Sequence, residues 1–143
     1  MRLEKTLAAA IVAVFLVVIG YFLYTSSFAS AEIPPHVTGE VREIYEWAKT
    51  PEGKLLLEEI PCYCGCKYEG HKHARHCFWK DDGTFDKHGI TCSVCLDIAK
   101  KARKSLLEGK SACYIRNDID EFYKPNAHLG TLTPMPEGCS AGS

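Results

Sequence analysis

Residues 7–24 form one uninterrupted apolar stretch, LAAAIVAVFLVVIGYFLY, with no charged side chain. A helix of this length reaches about 27 Å, which matches the hydrocarbon core of a bilayer. Arg2 and Lys5 precede the stretch, and the next basic residue after it is Arg42. This asymmetry of positive charge predicts a cytoplasmic segment at residues 1–6 and a transmembrane helix over residues 7–24.

A second interpretation of the same stretch is a cleaved secretory signal. Ala29, Ser30 and Ala31 form the small-x-small pattern of a cleavage site, although the apolar stretch is longer than a usual signal peptide core. Both interpretations place the rest of the chain on the extracytoplasmic side, and a retained helix anchors it to the membrane. Residues 25–36 contain Pro34 and Pro35 and are predicted to be a linker.

Beyond the linker, apolar residues recur with the period of a helix. The pattern predicts one helix from Thr38 and three more over residues 51–59, 91–108 and 111–123. Thr50, Thr91 and Ser111 are the predicted N-caps, and Pro51 suits the first position of its helix. The predicted inward-facing residues are Val41, Ile44, Tyr45, Ala48, Leu55, Leu56, Ile60, Val94, Cys95, Ile98, Ala102, Leu106, Ile115, Ile119 and Phe122.

Residues 61–90 show no clean period, but they contain turn-forming glycines and many of the cysteines and histidines. A structureless loop of this length is unusual in a small domain unless something other than apolar packing orders it. Residues 125–143 are rich in Pro, Gly, Ser and Thr and are predicted to be an extended tail. The predicted fold class is therefore all-α: a small helical domain at 37–124 around an irregular Cys/His-rich loop, preceded by the transmembrane helix.

Composition sharpens this picture. The chain has 143 residues, 8 Cys, 6 His and a formal net charge of -1. Such a length suits one modest domain, and the balanced charge gives no reason to expect nucleic-acid binding. All the cysteines follow the linker, between Cys62 and Cys139. A small cysteine-dense domain is expected to need a covalent or metal staple to supplement its apolar core.

The sequence Pro61-Cys62-Tyr63-Cys64-Gly65-Cys66 is the densest group of potential ligands. Disulfides within so short a segment are strained, but Gly65 allows the backbone to turn all three sulfurs towards one centre. Cys92 and Cys95 open a helix, where spacing and the helix dipole favour two thiolates on one face. The predicted metal ligands are Cys62, Cys64, Cys66, His71, Cys77, His88, Cys92 and Cys95.

Thiolate and imidazole ligands select copper or zinc and not magnesium or calcium. Eight ligands match two tetrahedral sites, and six thiolates carry more charge than one divalent ion can offset. We therefore expect two or more copper or zinc ions, with copper the first choice, and nearby lysines and Arg75 offsetting part of the charge. No organic cofactor is implied, and the absence of a CxxCH motif disfavours covalent haem.

Other interpretations of these residues remain open. The six cysteines could form three disulfides, and the CxxC at Cys92 and Cys95 could be a redox pair. His73 and His76 are treated as solvated loop residues. Cys113 and Cys139 are expected to pair with each other and tie the tail to the last helix, although His128, Met135 and Cys139 could instead form a soft copper-transfer site.

The function that these residues favour is metal handling or electron transfer by an exported, membrane-tethered protein, with a metal-transfer or redox protein as a possible partner. A structural zinc site or a disulfide-stapled interaction module is the alternative. A hydrolase is disfavoured, because a catalytic metal needs an open coordination position and a nearby acid–base group.

The string PCYCGC occurs together with Gly70-His71, Cys77-Phe78, His88, the Cys92–Cys95 helix start and Gly109-Lys110-Ser111. In these features the chain, from about Thr50 to Tyr123, resembles the PCYCGC-motif family of exported, membrane-associated prokaryotic proteins. Similar proteins are often lipoproteins, whereas this chain has no cysteine beside its apolar stretch to accept a lipid. The family has no defined function, so the resemblance implies export and an ordered Cys/His loop but no reaction.

Overall fold

The computed structural model describes residues 11–21 and 32–140. The chain divides into two units, Met1–Ala31 and Glu32–Ser143. Residues 11–21 are helical, but none of the helices described is both long enough and apolar enough to cross a bilayer. The transmembrane helix of the predicted fold class is therefore wrong. The predicted cytoplasmic segment 1–6, the cleavage site at Ala31 and most of the 25–36 linker lie outside the described residues.

The second unit is helical, and its described residues contain no β-strand. Its α-helices are α1 (Gly39–Trp47), α2 (Pro51–Glu58), α3 (His88–Thr91), α4 (Ser93–Leu107) and α5 (Ala112–Phe122). Short 3₁₀ helices cover Cys66–Glu69, Ala74–Cys77 and Lys124–Leu129. The loop over residues 61–90, whose sequence shows no clean period, is thus built mainly from short helical turns. One antiparallel bridge within it pairs Trp79 with Phe85.

Two of the three predicted N-caps are confirmed. The Thr50 Oγ1 atom accepts a hydrogen bond from the Gly53 amide at 3.1 Å, and the Ser111 Oγ atom accepts one from the Tyr114 amide at 3.2 Å. The third cap is wrong by one residue. Thr91 ends the short helix α3, and the extended backbone of Cys92 separates that helix from α4.

Helix α4 lies at the centre of the unit and packs against α1, α2, α3 and α5. Its side chains Ile98, Ala99 and Ala102 are fully buried. Of the inward-facing residues predicted for this region, Leu56 and Ile60 are buried, but Leu55 is 65% exposed and Leu57 is buried in its place. Gly53 explains the shift: its Cα lies so close to the backbone of Trp47 that a Cβ would clash. That contact turns the face of α2 that carries Gly53 and Leu57 inward.

The first residues of the predicted tail belong to the 3₁₀ helix Lys124–Leu129, and residues 130–136 after it are extended. Both parts belong to the same unit as the helices. A disulfide joins Cys113 of α5 to Cys139, as the sequence predicts. Thr131 and Thr133 are buried in this segment, and the Arg116 guanidinium donates to the carbonyls of Thr133 and Pro134 at 3.1 and 2.7 Å. The tail is therefore fastened along its length, and it lies behind the PCYCGC segment.

Candidate metal centre

The PCYCGC segment follows α2 as a tight turn. Gly65 adopts a φ of 87°, a left-handed conformation that favours glycine, and it starts the 3₁₀ turn Cys66–Glu69. The tail holds the other end of the segment. The Cys62 amide donates to Thr131 Oγ1 at 2.9 Å, and the Thr131 amide donates to the Cys62 carbonyl at 3.0 Å. These contacts turn the three alternate sulfurs of the segment inward.

The six predicted cysteine ligands are all free thiols, and their sulfurs form one cluster. Cys62 lies at its middle, with sulfur–sulfur distances of 3.3 Å to Cys64, 3.3 Å to Cys95 and 3.5 Å to Cys77. Cys77 and Cys95 are 3.0 Å apart, and Cys66 lies 3.8 Å from Cys77. Two thiolates on one tetrahedral ion lie about 3.8 Å apart when each metal–sulfur bond is about 2.3 Å long. The thiols are close enough to share cations.

Both predicted histidine ligands face this cluster. The His71 Nδ1 atom is 3.5 Å from Cys77 Sγ, and the His88 Nε2 atom is 3.4 Å from Cys64 Sγ. His71 therefore contacts the cluster at Cys77, and His88 contacts it at Cys64. All eight predicted ligands are brought together, while their role as ligands stays a prediction.

Each of these histidines has a carboxylate on its other ring nitrogen. Asp86 Oδ2 lies 3.6 Å from His71 Nε2, and Glu69 Oε2 lies 3.3 Å from His88 Nδ1. A carboxylate behind a metal-ligating histidine fixes the ring orientation and raises its basicity. Neither acid is predicted from the sequence, and the spacing along the chain offers no signal for Asp86.

Asp86 also organises the backbone around the cluster. Its Oδ1 atom accepts the His88 amide at 2.8 Å, and its carbonyl accepts the buried Tyr45 hydroxyl at 2.7 Å. The neighbouring Gly89 leaves no room for a side chain, since a Cβ there would lie 2.5 Å from the Phe78 ring. Core packing of α1 and the Phe78 region thus sets the position of His88.

The thiols share protons across the cluster. Hydrogen bonds from neighbouring thiols, first that of Cys62, lower the pKa of Cys66 to about 3, and the pKa of Cys64 also falls far below its usual range. The same contacts raise the pKa values of Cys62, Cys77 and Cys95. Negative charge therefore collects on Cys64 and Cys66, and the other three sulfurs act as S–H donors. Burial works to lower the pKa of His88, but the nearby Cys64 thiolate raises it overall.

Overlapping subsets of these residues could each hold a metal ion. One subset has four members, Cys64, His88, Cys92 and Cys95. It shares Cys64 with Cys62/Cys64/Cys66 and Cys95 with Cys62/Cys77/Cys95, and these two subsets share Cys62 with each other. The last subset, Cys66/His71/Cys77, shares a cysteine with each of these two and none with the four-member subset. The four-member subset consists of three cysteines and one histidine. Cys3His is one of the ligand sets that tetrahedral zinc takes.

Two of the basic residues expected to offset the thiolate charge, Lys72 and Arg75, have acidic partners. Lys72 Nζ lies 2.7 Å from Asp81 Oδ2, and Arg75 lies 3.2 Å from Glu58 Oε1. Positive charge on these side chains is therefore largely committed away from the sulfurs. Since these two side chains do not neutralise the thiolates, bound cations would balance the thiolate charge.

The remaining histidines behave differently from the sequence-based expectation. His73 and His76 were expected to be solvated, but they lie mostly buried beside Asp81, and this trio could also hold an ion. Burial lowers the pKa of His73 to about 4. The alternative copper site at His128, Met135 and Cys139 is wrong, because Cys139 is bonded to Cys113.

The fold and the cluster define a small helical Cys/His-rich domain whose irregular loop surrounds a set of potential metal ligands. The chain belongs to the family described as "Protein of unknown function with PCYCGC motif", whose model matches residues 28–136. The match is longer than the segment expected from the motifs, and it includes the extended residues that hold Cys62. Neither the curated proteins nor the solved structures contain a match to this chain.

Proposed function

We propose that this domain handles soft metal ions, holding two or more copper or zinc ions in a single thiolate–imidazole centre. One observation carries the proposal: eight potential ligands form overlapping subsets that share cysteines. Bridging thiolates are what a polynuclear site requires. The carboxylates behind His71 and His88 support the same conclusion, because they present each imidazole as a metal ligand needs.

Copper(I) is the cargo that we favour. Two of the subsets consist of three sulfurs each, and Cu(I) favours soft thiolate ligands at close spacing. Cys64 and Cys92 are half-buried, whereas the other four free cysteines are buried. Transfer of an ion from the cluster to a metal-transfer partner protein would begin at these two accessible sulfurs.

The decisive experiment is mass measurement of the purified full chain under native and denaturing conditions. We expect two or more bound ions, one disulfide and six free thiols. Three additional disulfides and no bound ion would contradict the proposal and favour a disulfide-stapled module. Cys64→Ser is the matched variant, and it should lower the ion count or affinity while the Cys113–Cys139 bond remains.

A structural zinc site is the second candidate. Cys62, Cys77 and Cys95 are fully buried among core side chains, so cations there could replace part of the apolar core. Chelation separates the two functions. A cargo site leaves the helices folded when the metal is removed, whereas a structural site loses its cooperative thermal transition, measured by circular dichroism.

We also propose that the domain acts outside the cytoplasm. The disulfide between Cys113 and Cys139 supports this location, because such bonds persist in oxidising compartments. Protease added to intact cells with a permeabilised outer envelope should digest the full chain, while a cytoplasmic control protein survives. Protection of the chain under these conditions would contradict the proposed location.

A further inference from the structure

A cleft of about 440 Å³ lies next to the sulfur cluster. Four carboxylates line it, and Lys80 is the only lysine or arginine among the described residues that do so; the acids are Glu69, Asp81, Asp82 and Asp86. A concave surface with an excess of negative charge raises the local concentration of cations and speeds their association. The cleft therefore attracts the class of ligand that the cluster is proposed to hold.

The cleft leads directly to one of the proposed ligands. His71 lines its wall, and the Nδ1 atom of the same ring lies 3.5 Å from Cys77 Sγ. Only 7% of the His71 side chain is exposed, so the ring stands between solvent and the buried sulfurs. A cation in the cleft can reach the cluster by passing this one imidazole.

His76 and Asp81 also line the cleft, and His73 lies against both of them. The Oδ1 atom of Asp81 lies 2.6 Å from His76 Nε2 and 3.8 Å from His73 Nε2, and the two rings are 4.2 Å apart. Asp81 is half exposed, while both histidine side chains are mostly buried. In addition, the His73 Nδ1 atom is buried and has no hydrogen-bond partner within the part of the chain that the structure describes.

The imidazoles continue inward as a row. The centre of the His76 ring is 6.1 Å from that of His71, which in turn is 5.2 Å from that of His88. Nitrogen ligands are thus available at short intervals from Asp81 to the cluster. A cation moving inward along this row would exchange one imidazole ligand for the next.

Hydrogen bonds make the outer trio a weaker site than the thiolates. The Lys72 amide donates to His76 Nδ1 at 3.3 Å, so Nδ1 is an acceptor and the ring proton is on Nε2. His76 Nε2 then donates to Asp81 Oδ1 at 2.6 Å. A cation on Nε2 moves the ring proton to Nδ1 and breaks the bond from Lys72. The Lys72 ammonium, 2.7 Å from Asp81 Oδ2, further opposes a cation. Weak binding is what a site of passage needs, since the ion must leave it again.

We propose that this acidic cleft is the port through which cations enter the cluster, and that His73, His76 and Asp81 form a mononuclear first binding site at its mouth. The inference rests on the proposed function, because it needs a cluster that takes up ions. It adds a second, separate site of nitrogen and oxygen ligands.

The test follows the rate of Zn²⁺ uptake by the reduced full chain in stopped-flow mixing, with the final ion count measured by native mass. We expect Asp81→Asn and His73→Gln to slow uptake about tenfold, with the final count in the cluster unchanged. Asp118→Asn is the matched control, because it removes one exposed carboxylate on α5, away from the cleft. Its uptake rate should equal that of the unaltered chain.

At excess Zn²⁺ the unaltered chain should hold one further ion that is readily lost on dialysis, and His73→Gln should lack it. Uptake at the original rate in both cleft variants, with a full final count, overturns the port alone. If the unaltered chain takes up no ion, the proposed function fails and the port fails with it. Circular dichroism establishes that each variant is folded, and the two cleft variants guard against misfolding of either one.

Discussion

Asp86 contacts both histidines of the proposed centre. One carboxylate oxygen faces His71 and the other accepts the His88 amide, so this side chain positions both imidazoles. Glu69 acts on His88 alone and is more exposed. At the scale of residues, the centre is therefore an arrangement of ligands together with the acids that orient them.

Replacement of Asp86 by Asn tests this role. The Asn side chain keeps an oxygen that can accept the His88 amide, but it removes the negative charge beside His71. We expect the metal affinity to fall by about 10–100-fold while the fold is kept. Competition with a chelator of known affinity measures the change, and Asp118→Asn serves as the charge-matched control. An unchanged affinity would remove Asp86 from the description of the site.

Proton release tests the shared protons of the cluster. The raised pKa values of Cys62, Cys77 and Cys95 mean that these thiols keep their protons near neutral pH. Metal ligation needs thiolates, so loading should release about three protons from these positions. Apparent affinity should then rise with pH, because protons compete with the metal for these sulfurs and their concentration falls. Titration in a weakly buffered indicator solution counts the protons, and loading without release would contradict the assignment.

At the scale of elements, the extended segment 130–136 packs against the PCYCGC turn and holds it by hydrogen bonds. Thr131 exchanges two hydrogen bonds with Cys62, and the Thr131 hydroxyl also lies 2.8 Å from that of Thr133. Thr133 continues the chain of contacts by donating to the Lys72 carbonyl at 2.8 Å. The segment thus connects two parts of the Cys/His loop that are distant from it in sequence.

Thr131→Val removes this support with little change in shape. The Cys62 amide is then buried without its partner, which costs about 1–3 kcal/mol of unfolding free energy. We expect a lower midpoint in urea and a weaker metal affinity. Leu132→Ala is the neighbouring control, because Leu132 is 95% exposed and should change neither quantity. Equal behaviour of the two variants would mean that the segment does not position Cys62.

At the scale of the whole molecule, the disulfide fastens the chain end to the helices. Cys113 and Cys139 are 26 residues apart in sequence. Arg116 holds the intervening segment through the backbone carbonyls of Thr133 and Pro134, and it also donates to the carbonyl of Glu59 at the end of α2. The covalent link and these hydrogen bonds act on the same segment. Loss of the disulfide should therefore affect both the stability of the fold and the metal centre.

The double variant Cys113→Ser/Cys139→Ser should lose about 3 kcal/mol of stability, since a loop of this length is no longer closed in the unfolded chain. Its metal affinity should also fall, because the segment that holds Cys62 detaches more easily. Denaturant unfolding and chelator competition measure the two effects. Each single variant should lose as much stability as the double variant, and a full additive loss would contradict a bond between these two cysteines.

Local chemistry was enough to predict much of this molecule. Apolar periodicity and capping residues predicted the helices, because both act within a few residues of the chain. The choice of six cysteines with His71 and His88 came from residue type and spacing alone, and the structure brings all eight together. The pairing of Cys113 with Cys139 was also predicted, since these two lay outside the dense motifs.

The tertiary structure decided what depends on contacts between distant residues. The contact of Gly53 with Trp47 places Leu57 inward instead of Leu55. The separate helix α3 makes Cys92, and not Thr91, the N-cap of α4. The contact of Asp86 with His71 and the hydrogen bond between Cys62 and Thr131 form only because the chain folds back on itself. Such contacts depend on how separate parts of the chain pack together. The periodicity and capping patterns of a sequence report only on neighbouring positions, so they do not predict these contacts.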